Sequence, residues 1–311
     1  MEWIQLIGGF VLLLLGGEFL VRGGVSIARR FNVSPLVIGL TIVAFGTSAP
    51  ELLVSINAAL SGHPEISIGN VVGSNIANIA LILGSSALIH QMLITSETIK
   101  FDIPILMLAS LLFASAATDG EISRVEGIAG LVCLAMFIML QVRNIRKDKD
   151  KIKVDDIDES KTYPLFVSIL IVIASCFALS YGADFLIDGA TVIARDFGVS
   201  ERIIAVTIVA LGTSLPELVT SVIAAIKKES DLAVGNIVGS NIFNIFCIIG
   251  VSATITPIRF AWSDFSFDFV WMLALTLLMF VLILVRKPYD LNKIGGTTLL
   301  LSYIVYMLLV L

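Results

Sequence analysis

The sequence predicts an all-α membrane protein with ten transmembrane helices, arranged as two inverted repeats of five helices in which helices 2 and 7 are broken. Three observations predict this fold. Apolar runs of about twenty residues recur along nearly the whole chain, and a helix of that length spans a bilayer. Of the 311 residues, 57% are hydrophobic and only 14% are charged, whereas soluble domains carry about 25% charged residues. The two halves also repeat one another, and each contains a Gly-Thr-Ser-X-Pro motif within an apolar run.

The predicted helices follow the apolar runs. The first five cover residues 4–27, 35–61, 67–90, 101–118 and 124–142, and the second five cover 164–194, 201–226, 233–256, 266–286 and 294–311. A charged stretch separates the two sets. We therefore expect a first five-helix repeat at 1–142, a cytoplasmic linker loop at 143–163 and a second five-helix repeat at 164–311. The N-terminus lacks the basic start of a signal peptide, so the first run is predicted to be a true span.

Lysine and arginine residues set the predicted orientation, because cytoplasmic loops are enriched in both. If the linker lies inside, the basic residues that also fall inside are Arg29, Arg30, Lys100, Lys227, Lys228, Arg286, Lys287 and Lys293. Those that fall outside are Arg124, Arg195, Arg202 and Arg259. We therefore expect a multi-pass protein of the plasma membrane with both termini extracellular and the central loop cytoplasmic.

An internal repeat relates the two halves at a constant offset of 166 residues. Residues 19–79 align with residues 185–245 without a gap, and about half of the positions are identical. Because five helices per repeat is an odd number, the second half enters the membrane upside down relative to the first. Inverted repeats of this kind build secondary transporters, whose ion site lies at the midplane beside broken helices. The sequence therefore predicts such a site at residues 46–50 and 212–216.

Each break is predicted to offer main-chain oxygens to a cation. A proline removes the helical hydrogen bond to the carbonyl four residues earlier, so Pro50 frees the carbonyl of Gly46 and Pro216 frees that of Gly212. A carbonyl freed within hydrocarbon needs a partner, and a bound cation would supply one. Hydroxyl groups beside the two breaks come from Thr47, Ser48, Thr213 and Ser214.

Two glutamates, Glu51 and Glu217, directly follow the two prolines near the middle of apolar helices. A carboxylate at the bilayer centre costs roughly 2.5–3.5 kcal/mol or more, and it marks a functional site by default. One such glutamate could serve packing alone. Two glutamates at matching positions, each beside a broken helix, instead favour an ion site.

Helices 3 and 8 add a second set of polar groups. In each helix a serine and an asparagine four residues apart share one face, Ser74 with Asn78 and Ser240 with Asn244. Glycine pairs in the same two helices allow close packing. The complete set is oxygen only, which suits Ca2+ because this ion takes six to eight oxygens in irregular geometry. Softer metals would call for His or Cys.

The charge of the site indicates the kind of transport. Two carboxylates carry a charge of −2, which one Ca2+, two Na+ or two protons neutralise. A site without its ions would leave buried charges unpaired, so switching between the two faces of the membrane should require bound cations, as obligatory exchange demands. The sequence predicts an antiporter. A Ca2+/H+ antiporter on the same fold is the closest alternative, followed by a gated cation channel and an intramembrane enzyme.

At these motifs the sequence resembles the sodium/calcium exchanger family, prokaryotic type, within the calcium/cation antiporter superfamily. The segments Gly-Thr-Ser-X-Pro-Glu-Leu and Gly-Asn-X-Val-Gly-Ser-Asn-Ile-X-Asn-Ile each occur twice and look like the paired alpha repeats of that family. The resemblance covers nearly the whole chain and implies electrogenic exchange of Ca2+ for Na+. We expect no cofactor beyond the transported ions Ca2+ and Na+, no nucleic-acid partner, no enzymatic activity, and function as a monomer in the lipid bilayer.

The resemblance also implies roles for individual residues. Glu51 and Glu217 would bind Ca2+ together with main-chain carbonyls of Thr47 and Thr213. The Na+ sites would be lined by Ala44, Thr47, Ser48 and Ser74 on the inner side and by Ala210, Thr213, Ser214 and Ser240 on the outer side, with Asn78 and Asn244 between them. K+-dependent relatives carry an aspartate at one of the two asparagine positions, so the asparagines lean away from K+ co-transport. Proton-coupled relatives usually carry a different motif, which favours Na+.

A second pair of acidic residues, Glu18 and Asp184, also matches across the repeat, in helices 1 and 6. Arg22 lies four residues after Glu18 and could pair with it along the helix. A structural role and a role in ion entry are both open for this pair. The three cysteines, Cys133, Cys176 and Cys247, have no paired spacing and predict neither a disulfide framework nor a zinc site.

Overall fold

The computed structural model describes residues 2–148, 163–198 and 210–310, and these residues are almost entirely helical. The helices in these three ranges are α1 Glu2–Phe31, α2 Pro35–Thr47, α3 Ala49–Leu60, α4 Ile66–Ile89, α5 Thr98–Asp119, α6 Arg124–Asp148, α7 Leu165–Asp196, α8 Ala210–Gly212, α9 Leu215–Ile226, α10 Ser230–Ile255, α11 Trp262–Leu284 and α12 Lys293–Val310. Within the described ranges, eight helices are long and apolar enough to cross a membrane, and α2 with α3 makes up to nine spans. The chain is therefore a multi-span membrane protein.

Most helix ends lie within a few residues of the predicted ones, but some helices are longer. α1 covers Glu2–Phe31 instead of 4–27, and α6 continues to Asp148, six residues past the predicted end at 142. The added turns of α6 contain Arg and Lys, which are good helix formers despite their charge. Residues 201–209 of the predicted seventh helix and residues 149–162 of the predicted linker lie outside the described residues.

Four helices in the described part of the chain contain a π-helical turn, which the apolar pattern did not predict. These turns are Gly39–Val43 in α2, Ala77–Leu83 in α4, Thr98–Asp102 in α5 and Asn244–Ile249 in α10. The turns of α4 and α10 occupy equivalent positions in the two halves of the chain, and each contains one of the predicted site asparagines. π-Helical turns frequently occur at functional sites.

Helices α1 and α7 pack against each other along their length. A Cβ atom built on Gly9 of α1 would lie 2.6 Å from the Gly182 carbonyl oxygen, and one on Gly182 would lie 3.0 Å from the Gly9 oxygen. Further along the pair, a Cβ on Gly189 would lie 2.7 Å from the Glu2 oxygen. The two backbones are thus in direct contact, which only glycine permits at these positions.

The centre of the molecule is formed by α10, in which an apolar stretch of 18 residues is completely buried, and by α4, which is mostly buried. α10 packs tightly on α2, since a Cβ on Gly235 would lie 2.5 Å from the Leu36 oxygen and one on Gly239 would lie 2.8 Å from the Leu40 oxygen. The close approach predicted for this glycine pair is therefore confirmed.

Two short antiparallel ribbons join the first half of the chain to the second. Strand β1 (Met92–Leu93) pairs with β4 (Asp290–Leu291), and β2 (Glu121–Ile122) pairs with β3 (Ile258–Arg259). The sequence did not predict these strands, because two residues are too few to show alternating polarity. β1 and β2 lie at opposite ends of α5, so the ribbons lie at opposite ends of the helix bundle.

Contacts between the halves recur at equivalent positions. A Cβ on Gly84 of α4 would lie 3.0 Å from the Gly296 oxygen of α12, and a Cβ on Gly250 of α10 would lie 3.0 Å from the Gly127 oxygen of α6. Gly84 and Gly250 are separated by the repeat offset of 166 residues. Equivalent glycines thus pack against the last helix of the other half.

Candidate ion-binding site

The chain is interrupted at both predicted breaks. α2 ends at Thr47 and α3 begins at Ala49, with a bend of 45° between them. In the second half α8 ends at Gly212 and α9 begins at Leu215. The serine that precedes each second segment has nearly the same backbone angles, φ −83° and ψ 7° at Ser48 and φ −87° and ψ 5° at Ser214. In both cases a proline occupies the first turn of the segment that follows.

Both predicted glutamates are buried beside these breaks, each with 1% of its surface exposed. The Ser48 hydroxyl donates a hydrogen bond of 2.8 Å to Oε1 of Glu217, and Ser240 approaches the same oxygen at 3.5 Å. Ser48 lies at the first helix break, three residues before Glu51. Ser48 and Glu217 come from different halves of the chain, so the structure brings the two breaks together around one pair of carboxyl groups.

The carboxyl groups have buried oxygens that no hydrogen-bond donor reaches. Among the described residues, both carboxyl oxygens of Glu51 and Oε2 of Glu217 have no hydrogen-bond partner. Buried polar groups are normally hydrogen-bonded, and an exception requires an explanation such as an ion. These oxygens are therefore suited to accept a cation.

Hydroxyl and amide groups beside the two helix breaks contact one another. The Thr47 hydroxyl donates to the Asn236 side-chain oxygen at 3.1 Å and lies 3.4 Å from the Ser240 hydroxyl. The Ser214 hydroxyl donates to the Ser74 hydroxyl at 3.3 Å. Five of the predicted hydroxyl-bearing residues thus take part in contacts at the site, namely Thr47, Ser48, Ser74, Ser214 and Ser240.

The remaining predicted residues occupy different positions around this centre. Asn78 is buried, and neither its side-chain oxygen nor its nitrogen has a hydrogen-bond partner within the described residues. The Asn244 side chain donates to Asn75 at 3.0 Å. The Ala44 carbonyl accepts hydrogen bonds from the Ser48 main chain and the Thr47 hydroxyl, at 3.0 and 3.3 Å. Thr213 lies half-buried at the second break, and Ala210 begins α8, with its side chain outside the described residues.

Sequence reasoning assigned no role to Asn70 and Asn236, although both belong to the repeated Gly-Asn motif. Asn70 of α4 donates to the Glu51 main-chain oxygen at 3.1 Å and to the Ser55 hydroxyl at 3.0 Å. Asn236 of α10 donates to the Ser221 hydroxyl at 3.0 Å. Each asparagine therefore ties a central helix to the second segment of a broken helix. The signal in the sequence is an amide that recurs at the repeat offset within an apolar helix.

Two further acidic residues within the helices, Asp102 and Asp268, are also separated by 166 residues. The Gln141 side chain donates to Asp102 at 2.7 Å, and the Tyr306 hydroxyl donates to Asp268 at 2.9 Å. These contacts join α5 to α6 and α11 to α12. The hydrogen bonds indicate a structural role that the repeat offset could have signalled.

The two matching acidic residues Glu18 and Asp184 have different surroundings. Glu18 accepts from Arg22 at 2.6 Å, as its spacing predicted, and also pairs with Lys227 at 2.7 Å. Glu18 thereby ties α1 to the residue that follows α9. Asp184 is exposed on α7. The contacts of Glu18 favour the structural role over a role in ion entry.

A family model described as sodium/calcium exchanger protein matches residues 1–143 and 167–311. The chain belongs to the sodium/calcium exchanger family. This exchanger is 32% identical to sodium/calcium exchanger MaX1 of Methanosarcina acetivorans, over 98% of this chain and 97% of that protein. It is 34% identical to inner membrane protein YrbG of Escherichia coli K12, over 93% of this chain and 91% of that protein.

The fold of the exchanger matches a solved structure of the sodium-calcium exchanger NCX_Mj, with a TM-score of 0.84 and 31% sequence identity. The match covers 98% of this chain and 96% of that one. Members of the family are transporters, so the exchanger is a membrane ion antiporter and not an enzyme.

Proposed function

We propose that the exchanger moves Ca2+ and Na+ in opposite directions across the plasma membrane by alternating access. One observation carries this proposal: two fully buried glutamates lie at equivalent helix breaks, and Ser48, three residues before Glu51, donates to Glu217. Two negative charges in one buried site need compensating cations. The names of the relatives MaX1 and NCX_Mj, both sodium/calcium exchangers, support the choice of ions.

The proposed site lies at the membrane midplane and offers oxygen ligands only. Glu51 and Glu217, with the main-chain carbonyls of Thr47 and Thr213, are the proposed Ca2+ ligands, in keeping with the oxygen preference of this ion. The proposed Na+ sites are lined by Ala44, Ser48 and Ser74 on one side and by Ala210, Ser214 and Ser240 on the other. Asn78 and Asn244 lie between them. Neither asparagine adds a third negative charge to the site.

Ten transmembrane helices in two inverted repeats form the proposed framework. The recurring glycine contacts of α4 and α10 support an equivalence of the two halves. The halves nevertheless differ at their breaks, because Ser48 donates to Glu217 whereas its counterpart Ser214 donates to Ser74. Nearly identical motifs in two arrangements are what alternating access between inverted repeats requires.

Coupling to Na+ is favoured over coupling to protons. The family model and MaX1 both name sodium. Exchange of three Na+ for one Ca2+ would move one net charge per cycle and make the exchange electrogenic, as the resemblance implies. We propose a monomer as the working unit.

Uptake of 45Ca into proteoliposomes tests this proposal. An outward Na+ gradient at clamped pH should drive Ca2+ uptake, and a proton gradient in the absence of Na+ should not. Glu51→Gln and Glu217→Gln should each reduce uptake at least about 100-fold, because one remaining carboxylate would not balance the charge of a buried Ca2+, and an uncompensated buried charge costs roughly 3–5 kcal/mol.

Asp102→Asn is the matched control for this experiment, since Asp102 is also a buried acid in an apolar helix but accepts from Gln141 away from the site. This control should exchange at the wild-type rate. Wild-type rates in Glu51→Gln or Glu217→Gln, with both variants folded, would remove the proposed site. Proton-driven uptake without Na+ would replace Na+ coupling by H+ coupling.

A further inference from the structure

One face of α1 carries a row of six side chains that are apolar in its first half and basic or polar in its second half; we call this row the stripe. Its residues are Leu12, Leu15, Phe19, Arg22, Ser26 and Arg29, spaced alternately three and four apart. This spacing places all six side chains on the same side of a helix. The first three are apolar, and the last three are basic or polar.

The polar part of the stripe opens into a cavity of about 510 Å³. α1 contributes Val21, Arg22, Val25, Ser26 and Arg29 to the lining of the cavity. Tyr163, two residues before α7, and Lys227 and Glu229, in the loop after α9, complete it. Ser26 also accepts a hydrogen bond of 2.9 Å from the Tyr163 main chain, which fixes the wall of the cavity.

The apolar part of the stripe lines a groove of about 300 Å³ between α1 and α7. α1 contributes Leu12, Leu15, Gly16 and Phe19, and α7 contributes Ile171, Ala174, Ser175 and Ala178. Leu15 and Phe19 have 51% and 42% of their surface exposed on this side. The Arg22 guanidinium carbon lies 5.9 Å from the centre of the Phe19 ring, so the groove and the cavity meet at these two residues.

The position of the stripe along α1 matches the layers of a bilayer. A helix rises 1.5 Å per residue, so the twenty residue steps from Glu2 to Arg22 span about 30 Å, the thickness of the hydrocarbon core. The apolar groove is then at the depth of acyl chains. The cavity beyond Arg22 is at the depth of lipid headgroups.

The charges around the cavity complement a single phosphate diester. Arg22, Arg29 and Lys227 contribute three positive charges, and Glu229 and the paired Glu18 contribute two negative charges. Among the described residues around the cavity, the balance is one positive charge. A phosphatidylglycerol headgroup carries one negative charge, whereas a phosphatidylcholine headgroup carries none.

We propose that this stripe binds one anionic phospholipid. The phosphate lies in the cavity against Arg22 and Arg29, and an acyl chain lies in the groove beside Leu15 and Phe19. The site is separate from the two glutamates, so it stands whether or not the proposed ion exchange is correct.

Native mass spectrometry of the purified full-length protein in equimolar phosphatidylglycerol and phosphatidylcholine tests the proposal. The wild type should retain one phosphatidylglycerol in preference to phosphatidylcholine. The double variant Arg22→Gln/Arg29→Gln should lower this preference roughly thirtyfold, because each basic residue near an anionic lipid surface contributes about fivefold. Lys100→Gln is the control, since Lys100 is an exposed basic residue outside the cavity, and it should retain the lipid as the wild type does.

Hydrogen–deuterium exchange of the wild type provides a second measurement, which does not depend on the folding of any variant. Peptides that cover residues 19–29 and 163–168 should exchange more slowly in nanodiscs of phosphatidylglycerol than in nanodiscs of phosphatidylcholine. Equal retention of the two lipids by the wild type, undiminished preference in the double variant, or equal exchange in both nanodiscs would overturn the proposal.

Discussion

Ser48 is the residue through which the two halves of the candidate site make their closest hydrogen bond. Its hydroxyl donates to a carboxyl group that is almost wholly buried, and bonds of this charge-assisted kind are the stronger ones in proteins. Ser48 is also a proposed Na+ ligand. A change at this position should therefore affect both the position of Glu217 and the binding of Na+.

Replacement of this hydroxyl gives the first prediction at the scale of single residues. Ser48→Ala should raise the Na+ concentration needed for half-maximal 45Ca exchange by about tenfold or more, because a hydrogen bond to a charged group is worth roughly 1.5–3 kcal/mol. Ser86→Ala is the control, since Ser86 is equally buried and its hydroxyl has no partner within the described residues. Equal Na+ dependence of the two variants would contradict the role of Ser48.

The sequence identified most of the residues at the site but not the way in which they pair. The two glutamates, both prolines and the flanking hydroxyls were predictable, because each is a costly or unusual residue within an apolar helix and each recurs at the repeat offset. The difference between Ser48 and Ser214 was not predictable. Because the two motifs are nearly identical in sequence, they do not indicate which serine donates to a glutamate and which donates to another serine.

At the scale of helices, the first break is shaped by the helix that packs beside it. A Cβ atom on Gly46 would overlap the Cys176 sulfur of α7. Glycine at position 46 therefore allows α7 to pack directly against α2, next to Thr47 at the helix break. The counterpart Gly212 is restricted in the same way by Ile187.

Paired substitutions at this contact give the second prediction. Gly46→Ala should lower the melting temperature and the exchange rate, since overpacking typically costs about 1–3 kcal/mol. Gly46→Ala/Cys176→Ala should restore both, because the remaining Cβ of residue 176 would lie 3.7 Å away. Gly24→Ala serves as the control, as its Cβ would meet neighbours at 3.4 Å or more. Failure of the double variant to recover would show that the thiol contact is not the constraint.

Helix positions were more predictable than helix details. Long apolar runs located the spans, since length and hydrophobicity decide insertion into a bilayer. The π-helical turns in α2, α4, α5 and α10 were not evident, because one extra residue per turn barely changes the apolar pattern. The continuation of α6 to Asp148 was missed for a different reason, since apolarity does not report on helix beyond the hydrocarbon.

For the whole molecule, the two ribbons mark opposite ends of the helix bundle. The β1–β4 ribbon is close in sequence to Lys100, Arg286, Lys287 and Lys293, whereas the β2–β3 ribbon is close to Arg124 and Arg259. Basic residues favour the cytoplasmic side. The first ribbon is therefore expected inside the cell and the second outside.

Labelling of single cysteines gives the third prediction and tests this orientation. In a variant without Cys133, Cys176 and Cys247, Arg259→Cys should react with an impermeant maleimide in intact cells. Lys287→Cys should react only after the membrane is permeabilised. Both native side chains are exposed, so the position of each cysteine relative to the membrane should decide its labelling. The opposite pattern would invert the proposed topology.

The contacts between the two halves of the chain also have a consequence for the evolutionary origin of the protein. Both ribbons and the long glycine contact between α1 and α7 join residues of one half to residues of the other. A half chain alone would expose strand edges and a glycine-rich helix face, and with the inverted arrangement proposed above it would gain stability from a second copy in the opposite orientation. An ancestor of half this length would accordingly have been a dual-topology dimer. Gene duplication and fusion would then have fixed that partnership in a single polypeptide.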